Sequence, residues 1–127
     1  MISKEDVEQQ ALVNYLKLHH YDFFAPMNEN MLSFLSPKMA VIVEAKAKAL
    51  GKQKGVLDLV IFLDNKILFL EMKRQGKVLK SGKISHSNSK VSDEQNDFRE
   101  MLLKYTYTRS AIAYGYKEAI KIIEELR

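Results

Sequence analysis

The sequence predicts one α/β domain, spanning residues 1–127, with a mixed central sheet flanked by helices. Two apolar runs, Leu57–Leu63 and Lys66–Lys73, are separated by Asp64-Asn65, which suits a tight hairpin turn. Amphipathic helical patterns lie before and after this hairpin. The length of 127 residues, with 46% apolar and 28% charged residues, is ordinary for one folded domain and excludes low-complexity or collagen-like classes.

The segment before the hairpin predicts a helix, a short strand and a second helix. Ser3 begins the first helix, with Asp6 at the capping-box position, and the helix ends near the polar turn His19-His20. Its apolar positions at helical spacing are Val7, Ala11, Leu12, Tyr15, Leu16 and Leu18. Tyr21–Ala25 predicts the strand, and residues 38–50 predict the second helix because they are rich in alanine and lysine.

The segment after the hairpin predicts a long mobile loop and then a helix, a strand and a final helix. Residues 75–90 form the loop because they are rich in Gly, Ser, Lys and Asn without periodicity. Ser92 caps the next helix, whose apolar stripe is Phe98, Met101, Leu102 and Tyr105. Ala111–Tyr116 predicts a strand, and Lys117–Leu126 predicts a helix that turns Ile120, Ile123 and Leu126 inward.

The hairpin register places two carboxylates opposite each other. If the turn is centred on Asp64-Asn65, Leu63 faces Lys66 and Asp58 faces Glu71. Side chains alternate along a strand, so one face carries Asp58, Val60, Phe62, Ile67, Phe69, Glu71 and Lys73, and the other carries Leu57, Leu59, Ile61, Leu63, Leu68, Leu70 and Met72. Both faces are mainly apolar, which predicts central strands covered on each side.

Opposed carboxylates repel, so a divalent cation is expected between them. Oxygen ligands of this kind suit Mg²⁺ or Mn²⁺. Lys73 lies two residues beyond Glu71 on the same face and can reach the same site. Asp58, Glu71 and Lys73 are the minimum set for metal-assisted phosphodiester hydrolysis, in which lysine orients water or stabilises developing negative charge. The alternative is an ion-paired surface cluster of Asp58 with Lys73.

Positive charge is concentrated in two segments without acidic residues, 45–57 and 72–92. The formal net charge of the chain is +4 and its isoelectric point is near 9.2. The basic residues assigned to a DNA-backbone contact are Lys46, Lys48, Lys52, Lys54, Arg74, Lys77, Lys80, Lys83 and Lys90. The alternative is a lysine-rich solvated surface.

Several classes of location and chemistry are excluded by composition. The sequence has no cysteine, which excludes disulfides, thiolate metal sites and cysteine nucleophiles. No apolar stretch reaches the roughly 18 residues of a membrane span, and Glu5, Asp6 and Glu8 are incompatible with a secretory signal. We therefore expect a cytoplasmic protein without membrane contact, in a bacterial or phage-infected cell.

The sequence resembles a known nuclease family at four short segments spread over most of the chain. These are Glu8-Gln9-Gln10, Gly55-Val56-Leu57-Asp58-Leu59, Phe69-Leu70-Glu71-Met72-Lys73-Arg74 and Glu94-Gln95-Asn96-Asp97-Phe98. Asp58 with Glu71-Met72-Lys73 matches the D…ExK core of the PD-(D/E)xK nucleases. The four segments together resemble the virus-type replication-repair nuclease (VRR-NUC) group. Leu57 stands where a proline often precedes the aspartate in the family.

The resemblance implies a restriction-endonuclease-like fold and assigns roles to individual residues. Asp58 and Glu71 would bind the metal, together with the Met72 backbone carbonyl. Lys73 would be the catalytic lysine, Glu8 would complete the acidic cluster, and Gln95 would line the site. From the residues alone, Glu8 could instead be an exposed first-turn glutamate, and Gln95 could serve only the capping box with Ser92.

The function implied is metal-dependent hydrolysis of DNA in replication, repair or recombination. The group it resembles includes small virus and bacterial endonucleases that act as homodimers on branched DNA, of the Holliday-junction or flap type. Two alternatives from other classes stay open: a catalytically inactive DNA-binding module with a nuclease fold, and a structural or interaction protein. A cleavage assay with and without divalent metal separates all three.

Overall fold

The computed structural model describes residues 3–26, 35–52, 55–75, 77–78, 80–82, 84–85 and 91–127. The helices are α1 (Lys4–Leu18), α2 (Pro37–Ala49), α3 (Asp93–Leu102) and α4 (Tyr116–Leu126). The strands are β1 (Asp22–Phe24), β2 (Leu59–Phe62), β3 (Ile67–Lys73), β4 (Lys77–Val78), β5 (Ile84–Ser85) and β6 (Thr108–Tyr114).

The central sheet is mixed, as the sequence predicts. Its strands are ordered β1-β2-β3-β6, with the first two pairings antiparallel and the β3–β6 pairing parallel. Leu59 pairs with Leu70 and Phe62 with Ile67, which is the register predicted from the Asp64-Asn65 turn. A register set by a two-residue turn fixes the face of every side chain on both strands, because the side-chain period is two.

One face of the sheet forms the hydrophobic core. α1 and α4 cover this face, and the buried cluster consists of Leu12, Leu16, Leu59, Ile61, Leu68, Leu70, Met72, Ala113, Ala119 and Ile123. Burying a large aliphatic side chain of this kind contributes roughly 1.5–3 kcal/mol. Ala113 is fully buried on β6, where its small side chain allows the helices to approach the sheet closely. Ile120 and Leu126 of α4 pack against the cluster as predicted.

The opposite face is covered only in part, which corrects the prediction that both faces are covered. The Phe98 ring of α3 meets the Phe69 ring edge-on at 5.6 Å, and Val60 is 4% exposed. Toward the β1 edge, Phe24 is 51% exposed and Phe62 is 44% exposed. The reason is the position of α3, which packs beside β6 at the other edge of the sheet.

Three predicted packing positions on the helices are wrong. Val7 and Leu18 lie in the first and last turns of α1 and are exposed, because only the middle of the predicted stripe packs into the core. Tyr105 lies beyond the end of α3 at Leu102 and is also exposed. The capping box of Ser3 with Asp6 is present, as is the polar turn at His19 and His20, where His20 adopts a φ of 61°.

The strand predictions near the C-terminal side also need correction. β6 begins at Thr108 and ends at Tyr114, earlier than the predicted Ala111–Tyr116, because Gly115 takes a φ of 97° and starts α4. β1 is shorter than the predicted Tyr21–Ala25. Within the predicted loop 75–90, β4 and β5 pair as a short antiparallel ladder. Residues 76, 79, 83 and 86–90 of that loop lie outside the described residues.

α2 confirms the second predicted helix and has no buried residue. Ser36 caps it by accepting a hydrogen bond from the Met39 amide, and Pro37 occupies its first turn, where a missing amide hydrogen costs nothing. Met39, Val41 and Ile42 are exposed on this helix. Within the described ranges, no helix combines the length and apolar character that crossing a membrane requires.

Candidate active site

The Asp58 and Glu71 carboxylates face each other at the end of the β2–β3 hairpin. Asp58 directly precedes β2, and its amide donates a hydrogen bond to Glu71 Oε1 at 3.2 Å. Asp58 Oδ2 accepts a hydrogen bond from the Met72 amide at 2.9 Å. Each carboxylate is thereby fixed by the backbone of the other strand. The Met72 carbonyl, which the resemblance assigns to the metal, stays a prediction.

Lys73 joins this pair from the same face of β3. Its Nζ lies 3.5 Å from Glu71 Oε2, while Glu71 is 4% exposed and Lys73 is 9% exposed. Charged side chains are almost never buried to this extent unless they are paired. The sequence leaves open a solvated surface ion pair between Asp58 and Lys73. The observed ion pair is with Glu71 and is buried, which disfavours that alternative.

The environment of Asp58 favours its protonated form when no cation is present. Burial raises the pKa of Asp58 from its usual 3.8 to about 7, and the facing Glu71 carboxylate adds to the rise. The Met72 amide and the Lys73 ammonium act in the opposite direction and do not offset burial. Two carboxylates in this arrangement hold a proton that a divalent cation would displace.

We expect the metal-free protein to lose stability as the pH rises from about 4 to about 7. In this interval Asp58 holds a proton in the folded protein but has released it in the unfolded chain. The free energy of unfolding therefore falls by at most about 1.4 kcal/mol for each pH unit, and this loss levels off above the folded-state pKa of Asp58. Melting temperatures measured in EDTA from pH 5 to pH 8 test this.

Asp58→Asn is the control for this measurement, because asparagine keeps an oxygen for the Met72 amide and does not titrate. Its stability should depend less on pH than that of the wild type, and Mg²⁺ should stabilise the wild type more at pH 8 than at pH 5. If the melting temperatures of the two proteins depended equally on pH, Asp58 would not be the group whose proton uptake causes the dependence.

Gln95 performs both of the roles that the sequence leaves as alternatives. Its Oε1 accepts a hydrogen bond from the Ser92 amide at 3.3 Å, and the Ser92 hydroxyl accepts one from the Gln95 amide, which completes the capping box of α3. Its Nε2 donates to Glu71 Oε2 at 2.6 Å. An amide side chain can accept and donate at once, so the start of α3 is tied directly to the carboxylate pair.

Gln95→Glu should separate these two roles. Glutamate keeps the capping-box acceptor but replaces the donor to Glu71 with a second carboxylate. We expect the metal-free protein to lose about 1–3 kcal/mol of stability at pH 8, and the Mg²⁺ dependence of cleavage to change. Ser92→Ala is the matched control, since it removes only the cap and costs about 0.5–2 kcal/mol. Identical Mg²⁺ dependence in the two variants would mean that the hydrogen bond to Glu71 is unimportant.

Glu8 does not lie in one cluster with Asp58 and Glu71. Among the described residues, no group of three or more acidic, histidine or cysteine side chains is placed to hold a metal ion. Glu8 Oε2 instead accepts a hydrogen bond from the Tyr116 amide at 2.7 Å. Tyr116 is the first residue of α4, so its amide has no partner within the helix, and a carboxylate is favourable at a helix N-terminus. Glu8 is therefore not a fully exposed first-turn glutamate, and its metal role stays a prediction.

Gly55 is a residue of the site region whose role the sequence does not reveal. It has a φ of +84°, and a Cβ placed on it would lie 2.2 Å from the Glu94 carbonyl oxygen and 2.8 Å from the Gln95 amide nitrogen. Glycine therefore lets the segment before β2 touch the first turn of α3. This contact holds the helix that carries Gln95 against the segment that leads to Asp58 and β2. A glycine shortly before a buried strand is the one signal in the sequence that points to such a contact.

The basic residues predicted to bind DNA are distributed over several elements. Lys46 and Lys48 are exposed in the last turn of α2, where they also complement the helix dipole. Lys80 is exposed, while Lys52 and Arg74 are partly exposed, and Arg74 directly follows Lys73. Lys77 begins β4. Lys54, Lys83 and Lys90 lie outside the described residues.

Comparison with known proteins defines the fold. The structure is similar to a solved structure titled "VRR_NUC domain protein", with a TM-score of 0.65 and 24% sequence identity over 97% of this chain and 87% of that chain. No family model and no curated protein matched the sequence. The chain therefore has the fold of a VRR_NUC domain protein, and the predicted nuclease-like α/β architecture is confirmed. At this identity the similarity establishes the fold alone.

Proposed function

We propose that the protein is a Mg²⁺- or Mn²⁺-dependent DNA endonuclease, selective for branched DNA of the Holliday-junction or flap type, that acts in replication, repair or recombination. The observation that carries this proposal is the buried arrangement of Asp58, Glu71 and Lys73 at one end of the β2–β3 hairpin. The fold shared with a VRR_NUC domain protein supports it.

The donor set fits a hard divalent cation. Asp58 and Glu71 present carboxylate oxygens, and Mg²⁺ typically takes one or two carboxylates and completes its shell with water and phosphate oxygens. Burial and the facing Glu71 carboxylate raise the pKa of Asp58, and carboxyl groups shifted by burial and a specific charged neighbour are common at functional sites. When bound, a divalent cation supplies Lewis-acid polarisation of a phosphate oxygen and lowers the pKa of water.

The remaining residues position groups and balance charge. Lys73, held 3.5 Å from Glu71, can orient a water molecule or stabilise the negative charge that develops on the scissile phosphate. The side-chain amide of Gln95 donates a hydrogen bond to Glu71 Oε2, which fixes the orientation of the Glu71 carboxylate. Lys73→Ala should therefore reduce turnover more than metal affinity.

Branched substrates and a homodimer belong to the same proposal. A protein of 127 residues is small beside a four-way junction, and a twofold axis would present two equivalent sites to two of its four strands. The resemblance to homodimeric members of the VRR-NUC group supports this assembly. The single domain 1–127 would then be one protomer of the functional unit.

Binding of the DNA backbone by the basic segments gives a measurable salt dependence. Replacing Lys77, Lys80, Lys83 and Lys90 by alanine should weaken DNA binding and flatten the plot of log affinity against log salt, by roughly 0.9 for each duplex phosphate that is no longer neutralised. Fluorescence anisotropy over a range of salt concentrations measures both quantities.

A control with the same change of charge uses four exposed lysines on α1 and α4, namely Lys4, Lys17, Lys117 and Lys121. These substitutions should weaken DNA binding less than the loop substitutions do, and should leave most of the dependence of log affinity on log salt unchanged. If both quadruple variants show the same decrease in slope, the loop has no special role in binding the backbone.

Cleavage of labelled DNA tests the proposed function directly. Purified protein is incubated with four-way junctions, flaps and linear duplex in Mg²⁺, in Mn²⁺ and in EDTA. We expect cleavage that requires the metal and that is faster on branched substrates. Binding without cleavage under all conditions would favour the inactive DNA-binding module, and neither binding nor cleavage would favour the structural protein.

A further inference from the structure

Two phenylalanine rings form an exposed pair at the β1 edge of the sheet. Phe24 of β1 and Phe62 of β2 have ring centroids 6.2 Å apart with an interplanar angle of 38°. About half of each side chain is open to solvent, while Val60 on the same face is buried. We call these two rings the Phe24–Phe62 platform.

The sheet register places the platform beside the candidate active site. Phe24 pairs with Val60, and Phe62 pairs with Asp22. Residues that pair directly in an antiparallel ladder share a face, so Phe24 is the diagonal neighbour of Phe62. Asp58 lies two residues before Val60 and just outside β2, where the same register extended by two residues makes it the other diagonal neighbour of Phe24. Diagonal neighbours lie about 7–8 Å apart. An exposed ring is thus within one nucleotide's reach of the carboxylate pair.

The chemistry of the platform differs from that of the other exposed aromatic pair among the described residues. Tyr105 and Tyr107, with ring centroids 5.8 Å apart, lie just before the start of β6 and carry hydroxyl groups that water can solvate. Phenylalanine has no polar side-chain atom, so exposing two such rings to water is unfavourable unless a ligand covers them. A flat apolar ligand that stacks on a ring would recover this cost.

We propose that the Phe24–Phe62 platform stacks an unpaired nucleobase next to the scissile phosphate, so that flap-type substrates, which present single-stranded nucleotides at the cleavage point, are preferred over fully paired junctions and duplex. This proposal rests on the proposed nuclease function and specifies the substrate class. Every nucleobase has a π face, so stacking on the platform would not depend on sequence. Bases paired within a duplex have their faces covered by their neighbours and could not bind in this way.

The acidic residues around the platform favour a nucleobase, rather than the phosphate backbone of DNA, as the group that covers the two rings. The Asp58 and Glu71 carboxyl groups lie at the end of the platform toward the site, and the Asp22 carboxylate pairs with Phe62 on the same face. A phosphate would be repelled there unless it bridged a bound cation. The strand is therefore expected to direct its phosphate toward the carboxylate pair and its neighbouring base onto Phe24 and Phe62.

The test compares binding of DNA with and without exposed bases. Affinity and 2-aminopurine fluorescence are measured with the Asp58→Asn protein, which leaves the DNA intact, for a single-stranded overhang, the same overhang with abasic sites, and a blunt duplex. Stacking should quench 2-aminopurine in the overhang. Adding Phe62→Ala or Phe24→Ala should weaken overhang binding roughly 5- to 150-fold. The affinity for blunt duplex and for the abasic overhang should change less than twofold.

Matched variants keep the result independent of folding. Phe62→Leu retains apolar volume and should bind the overhang weakly, while Phe62→Tyr retains the ring and should bind it normally. Tyr107→Ala, which removes an exposed ring elsewhere, should have no effect. The proposal is overturned if Phe62→Ala binds the overhang as well as its parent does, if affinity for blunt duplex falls equally, or if Tyr107→Ala weakens overhang binding as much. Binding is measured without cleavage, so absence of nuclease activity in the wild type is a separate outcome.

Discussion

Replacing Asp58 or Glu71 by alanine is expected to reduce DNA cleavage about 10³-fold or more. In the proposed mechanism either carboxylate would be a ligand for a cation that supplies several kcal/mol of transition-state stabilisation, and each 1.36 kcal/mol is a factor of ten in rate. The fold should survive, because the hydrophobic core lies on the opposite face of the sheet. Without metal at pH 8, Asp58→Ala should be as stable as the wild type or more so, since the repulsion between the carboxylates is gone. Glu71→Ala should be less stable, because it leaves the buried Lys73 ammonium without its partner.

Single-turnover cleavage in Mg²⁺ and thermal melting in EDTA measure the two effects on the same preparations. Asp58→Asn serves as the conservative control: it keeps the acceptor for the Met72 amide, so any loss of cleavage reflects the missing charge. A variant that lacked either carboxylate and still cut DNA at nearly the wild-type rate would show that these residues are not the metal ligands.

Gly55→Ala is expected to destabilise the protein by about 2–5 kcal/mol. The added Cβ would overlap the Glu94 carbonyl and approach the Gln95 amide, both of which are helix backbone that cannot move alone. A positive φ adds about 1–2 kcal/mol for a residue with a Cβ. Relief of the overlap would shift α3 and with it the hydrogen bond from Gln95 to Glu71, so cleavage should fall as well.

Gly82→Ala is a well-matched control for this effect. Gly82 has a φ of +82°, close to the +84° of Gly55, and a Cβ there would meet nothing within 4 Å. Urea denaturation of both variants therefore separates conformational strain from steric overlap. Equal losses of stability would mean that the close approach of Gly55 to α3 has no energetic importance.

The sequence predicts the centre of this fold better than its periphery. The hairpin register follows from a two-residue turn and strict alternation, which are local, so Asp58, Glu71 and Lys73 can be placed together from the sequence alone. The extent of cover on the second face depends on where α3 docks, which is a long-range property. The exposure of Phe24 and Phe62 is not predictable from the sequence for that reason.

Within the candidate site, too, local features are predictable from the sequence and long-range contacts are not. Gln95 has two competing roles at the level of sequence because each role uses a different atom of the amide, and only the position of α3 shows that both are satisfied together. The helix side of Glu8 indicates that it faces the sheet, but not that its Oε2 accepts a hydrogen bond from an amide of α4, 108 residues away. Gly55 begins one of the segments that resemble the nuclease family, but its contact with α3 is not visible in the sequence, since it meets that helix backbone only after folding.

The contact between Glu8 and α4 also bears on the order in which the chain can fold. Glu8 and Tyr116 are 108 residues apart, and a second hydrogen bond, from Tyr15 to Glu124, spans 109. Contacts of such high sequence separation form late, because a long loop must close before they give any stabilisation. A nascent chain without residues 116–126 would leave the α1 side of the sheet half covered. Completion of the core is therefore expected to follow synthesis of α4 rather than accompany the growth of the sheet.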